Sequence, residues 1–76
     1  MTKNKAMFLE ELEFCKDSFS ADRYRWLQGI ATKSVDKEHD MSKIYVAMGY
    51  IMATREMGKN VGYLKLYLEY ILEDMR

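Results

Sequence analysis

The chain has 76 residues, with 12 Lys plus Arg against 12 Asp plus Glu, no Pro, four Gly, one Cys and seven Met. Zero Pro with modest Gly excludes collagen-like and Pro-rich linker chains, 49% apolar residues exclude ordinary intrinsic disorder, and a single Cys excludes a disulfide scaffold or a Cys-based zinc finger. A formal net charge of zero removes the basic excess that holds a protein on nucleic acid by bulk electrostatics.

Four helical segments follow along the chain, with no period-2 strand pattern to compete with them. The first is predicted over about 5–18, where Phe8, Leu12, Cys15 and Phe19 recur at spacings of four, three and four and so share one face. Ser20 is placed to cap a second helix, with Asp22 in its first turn. That helix carries Arg23, Tyr24, Trp26, Leu27, Ile30 and Ala31 and loses definition near Lys33. Residues 34–40 form the most polar stretch and read as a loop with room for one short turn. Asp40 is the expected N-cap of a third helix over 41–57, Gly58 its C′ residue, and Asn60 the cap of a fourth helix over 61–75. The expected fold is all-α: a compact bundle of three to four short helices in a single domain, 1–76, with the antiparallel hairpin of 41–57 and 61–75 as its spine.

The last two helices carry more apolar perimeter than a small core needs. On the third, Met41, Ile44, Met48 and Ile51 form one stripe, Tyr45 and Met52 widen it, and Val46, Tyr50, Ala53 and Met57 lie elsewhere. A helix apolar nearly all round is expected to be central, or to give one side to a partner. On the fourth, Leu64, Leu68, Ile71 and Met75 line one face, and Tyr63, Leu66, Tyr67 and Tyr70 a second, roughly 120° away at about 100° per residue. One face suffices for a core. The tyrosine face is therefore the expected site for a protein partner or a second copy, with Tyr45 and Tyr50 as neighbours, because tyrosine supplies large rigid area with a polar tip. The methionines are read chiefly as core filler.

Other chemistries find little support in the residues. Asp36, Glu38, His39 and Asp40 are metal-capable, but the calcium-loop pattern fails at Met41 and Ala47, and a lone His makes no usual zinc site. The cluster reads as a helix cap, and no metal or cofactor is expected. There is no phosphate loop, His-Glu metal motif or nucleophile elbow, and Cys15 sits in an apolar stripe, so no catalytic residue is assigned. The alternative function is a small helical DNA-binding regulator using Arg23, Arg25, Lys33 and Lys37, whose cations alternate with Tyr24 and Trp26. Against it stand a loop about twice the helix-turn-helix length and carboxylates near both arginines. A third reading is a small-ligand sensor with an aromatic pocket.

Glu10, Glu11 and Glu13 interrupt any run that could serve as a signal peptide, and no apolar stretch is free of charge for a membrane span. With one free Cys, the expected location is cytoplasmic, with no membrane partner. Hydrophobic gain and ordering entropy nearly cancel for a chain of this size, so a homo-oligomer is expected. Trp26, Leu27, Gln28 and Gly29 match neither the Trp-x-Gly turn of small secreted helical hairpins nor the tetratricopeptide pattern. In architecture alone, four short helices in about eighty residues resemble the immunity proteins of small bacteriocins. The expected function is a non-catalytic interaction module: an inhibitor, adaptor or immunity-type protein.

Overall fold

The computed structural model describes residues 1–76 and is entirely helical: α1 (Lys3–Phe14), α2 (Ala21–Thr32), α3 (Lys37–Glu56) and α4 (Leu64–Met75), with one 3₁₀ turn at Lys16–Ser18. Three of the helices start where a side-chain oxygen meets an unpaired backbone N–H. Thr2 Oγ1 accepts the Lys5 N–H at 3.2 Å, Ser20 Oγ accepts the Arg23 N–H at 3.2 Å, and Asp36 Oδ1 accepts the His39 N–H at 2.8 Å. The Ser20 cap is where the sequence puts it. The Asp40 cap is not: α3 begins four residues earlier, and most of the expected loop 34–40 is helix. Asp40 instead turns back to accept from Ser34 Oγ at 2.6 Å and from the Val35 N–H at 3.1 Å, closing the connection from α2.

The remaining boundaries are set by contacts distant in sequence. α1 stops at Phe14, short of the expected Ser18, and the chain tightens through the 3₁₀ turn. Ser18 Oγ is held there by the Asn60 carbonyl oxygen, 2.5 Å away and 42 residues on. α3 ends as expected at Gly58, in a left-handed conformation with φ +84. Its N–H donates to the Arg55 carbonyl at 2.9 Å and that of Lys59 to the Thr54 carbonyl at 3.3 Å, the paired bonds of a Schellman turn. Asn60 does not cap α4; its Oδ1 accepts the Gly62 N–H at 3.0 Å, within the connection itself. The helix begins at Leu64, three residues later than expected, and α1 supplies the acceptor for its N-terminus: Glu11 Oε2 takes the Tyr63 N–H at 2.7 Å.

α4 is the hub, packing against both α1 and α3, while α2 leans on α1 and α3. Asn4 Nδ2 donates to Asp74 at 2.9 Å, which with the Glu11–Tyr63 bond runs α1 antiparallel to α4. Arg76 reaches the Tyr45 hydroxyl at 3.3 Å, consistent with the same sense for the α3–α4 hairpin. The core holds 14 buried residues, among them Phe8, Leu12, Leu27, Ile44, Ile51, Leu64, Leu68 and Ile71, and no polar or charged side chain. α3 departs from expectation: only Ile44, Ala47 and Ile51 are buried, and Tyr45, Val46, Tyr50 and Met57 are exposed. Neighbours cover one side of it alone. No helix is long and apolar enough to cross a membrane.

Candidate functional site

α4 begins beside the end of α1 and runs back along it, so its outward face lies between α1 and the polar strip of Lys65, Glu69 and Glu73. On that face Tyr63 and Tyr67 pack with ring centroids 6.4 Å apart and Tyr67 and Tyr70 with centroids 6.5 Å apart, both pairs tilted. Tyr67 is half-buried against the core, whereas Tyr63 keeps 65%, Tyr70 45% and Leu66 38% of their surface exposed. The face thus has a foot in the core and a free outer edge.

Sequence reasoning missed a neighbour of this face. Phe14 is 77% exposed. It sits six residues after Phe8, about 240° round the helix at 100° per residue, and so cannot share the core stripe. Glu11 and Cys15, the residues bracketing it, both meet the start of α4: Glu11 bonds the Tyr63 N–H, and Cys15 Sγ lies 3.3 Å from where a Cβ on Gly62 would stand. Phe14 therefore stands exposed on the turn of α1 that meets the start of α4. The offset from the Phe8, Leu12, Cys15 stripe was a readable signal for it.

Beyond Leu66 the surface dips into an open cleft of about 700 Å³ between the end of α3 and the start of α4, lined by Arg55, Lys59, Val61, Tyr63, Lys65 and Leu66, among others. Lys65 is paired with Glu69 at 2.6 Å, while Arg55 and Lys59 have no carboxylate within 4.0 Å. These two cations were also not singled out from the sequence. Arg55 was legible only as a helix C-terminal cation.

The six expected interface residues do not form one surface. Tyr63, Leu66, Tyr67 and Tyr70 stand together. Tyr45, 52% exposed, is across the Lys65–Glu69 strip, its hydroxyl accepting from Arg76. Tyr50 faces α2, where Trp26 meets its ring edge-on at 5.5 Å and the Arg23 guanidinium lies over it at 3.5 Å.

The four cations of the nucleic-acid alternative are likewise separated. Arg23 is stacked on Tyr50, and Arg25 is paired with Asp22 at 2.5 Å. At about 100° per residue the two arginines point to different sides of α2. Lys33 ends that helix and Lys37 opens the next, both exposed.

The acidic segment 36–40 is a helix start. Asp36 accepts the His39 backbone N–H and lies 3.1 Å from His39 Nδ1, and these bonds hold its carboxyl below the ordinary aspartate range. Bonds from Ser34 Oγ and the Val35 N–H lower Asp40 in the same way. Cys15 is buried, and burial, then the nearby Glu11 carboxylate, raise its thiol pKa, the reverse of what activates a nucleophile. The Tyr24 hydroxyl hydrogen-bonds Glu13, which raises its pKa. No group of three or more His, Cys, Asp or Glu side chains is gathered that could hold a metal ion. Comparison of the chain with protein-family models, curated proteins and solved structures gives no match.

Proposed function

We propose that this chain is a non-catalytic protein-interaction module, of the adaptor, inhibitor or immunity-protein kind, that docks on another protein through the outer face of α4 and self-associates as a homodimer. The observation that carries the reading is the surplus of aromatic surface. A core of 14 residues closes while Phe14, Tyr63, Leu66 and Tyr70 stay exposed on adjoining turns of α1 and α4. Covering roughly 100 Å² of a half-exposed aromatic ring contributes about 2.5 kcal/mol at 25 cal/mol/Å², so a few such rings suffice to anchor a partner. The tyrosine hydroxyls keep the face hydrated while it is unoccupied.

Affinity capture from the native host, comparing the wild-type chain with a Tyr63→Ser/Tyr70→Ser variant, tests the reading. Both rings are exposed, so the variant is expected to keep its helical circular dichroism while losing the captured protein. Equal capture by the two chains removes the α4 face from the function. The nucleic-acid alternative draws no support from Arg23 and Arg25, one stacked on Tyr50 and the other paired with Asp22.

A further inference from the structure

The α4 face ends at two features of opposite chemistry that share a rim at Gly62 and Tyr63. On one side is the protruding Phe14, with Glu10 one turn before it on the same side of α1 and Asp17 three residues after it in the 3₁₀ turn, where it lies beside Phe19, Tyr24 and Arg25. All three are exposed, and neither carboxylate has a cation within 4.0 Å. The other charges nearby are occupied: Glu11 bonds the Tyr63 N–H, Glu13 bonds the Tyr24 hydroxyl, and Lys16 lies 5.2 Å over the Tyr24 ring. On the other side is the cleft of about 700 Å³, in which Tyr63 and Leu66 give an apolar wall, Lys65 and Glu69 an internally neutralised pair, and Arg55 and Lys59 two unpaired cations. An exposed aromatic ring with free carboxylates before and after it in sequence thus stands near an open cleft of mixed lining that carries two free cations. Phe14 does not line the cleft of its own molecule, and α1 is pinned beside that cleft by the Glu11–Tyr63 bond.

We propose that the occupant of this cleft is a second copy of the chain: the Phe14 ring of each copy inserts against Tyr63 and Leu66 of the other, with Glu10 and Asp17 meeting Arg55 and Lys59. The proposal rests on the reading of the α4 face as an interaction surface and specifies how the homodimer forms. Because the inserted segment and the receiving cleft are adjacent, one two-fold axis near Tyr63 lets both copies give and receive the same contacts, which closes the assembly at a dimer. The formal net charge of zero leaves no long-range repulsion between copies. The opposed local charges fix the orientation.

Sedimentation equilibrium on the full chain near 150 mM salt tests the proposal. The wild type is expected to dimerise at or below about 100 µM, and Phe14→Ser to weaken the dimer by about tenfold or more. Arg55→Glu/Lys59→Glu and Glu10→Lys/Asp17→Lys each set like charges against each other at both contacts, and each is expected to be monomeric. Mixed one to one they restore opposite charges at both contacts, so a heterodimer of near wild-type strength is expected, and it is lost when Phe14→Ser is added to both chains. These positions are exposed, and circular dichroism verifies that each variant keeps the fold.

A wild type monomeric at about 100 µM, a charge-reversed chain that dimerises like wild type, or a mixture that stays monomeric overturns the proposal. Host-protein capture that depends on Tyr63 and Tyr70 while the wild type stays monomeric removes this dimer and leaves the interaction reading standing. A dimer that follows the charge pattern while Tyr63→Ser/Tyr70→Ser leaves capture unchanged supports the dimer and removes the reading of that face as a partner site.

Discussion

At the scale of single residues, two glycines do different work. Gly58, at φ +84, meets nothing within 4 Å of a built Cβ, so Gly58→Ala adds only left-handed strain, about 1 kcal/mol. Gly62, at φ +49, carries the same strain, and a Cβ there would also run into the Glu11 carboxylate that accepts the Tyr63 N–H. Gly62→Ala is therefore expected to destabilise clearly more than Gly58→Ala in urea unfolding; equal losses would show that the Glu11 contact is unimportant. Asp36 and Asp40 make a second prediction at this scale. Their folded-state pKa values lie below the unfolded value, so their contribution is present above the ordinary aspartate range and is lost as pH falls through the lowered values. Thermal stability is expected to fall below about pH 4, and an Asp36→Asn/Asp40→Asn variant to show a shallower acid limb in melts across pH.

At the scale of elements, helix ends split into those made locally and those made by the fold. The Ser20 cap and the Gly58 turn were legible because donor and acceptor lie within a few residues of each other. The start of α4 was not, because its acceptor, Glu11, comes from another helix 52 residues away. Asp40 was the expected cap of α3, and Asp36 takes that place. Which of them caps is decided by Ser34 and Val35, which engage Asp40 from the preceding connection. A Glu11→Ala change is expected to cost about 1 kcal/mol, the usual worth of a cap, and to speed amide hydrogen exchange in the first turn of α4 ahead of α2. Uniform acceleration across all helices would show that Glu11 acts on global stability alone.

At the scale of the whole molecule, the core and the α4 face predict opposite responses to truncation. Leu68 is fully buried at the hub, so Leu68→Ala is expected to cost about 2–5 kcal/mol, a large share of the stability of a small domain. Tyr70→Ser, on the outer edge, is expected to stay within roughly 0.5 kcal/mol of wild type at concentrations where the chain is monomeric, which chemical denaturation checks directly. The sequence by itself determined the helical class, the order of the four helices, the Phe8, Leu12, Cys15 core stripe and the two faces of α4, because periodicity and capping are local properties. Only the tertiary structure decided that α4 is the hub, that Tyr67 roots the tyrosine face while Tyr45 and Tyr50 stand apart, and that the end of α1 meets the start of α4, where a cleft holds Arg55 and Lys59. Those relations depend on how helices distant in sequence are set against one another, and the hydrophobic effect that sets them is non-directional: it states which faces are covered and leaves to packing which neighbour covers them.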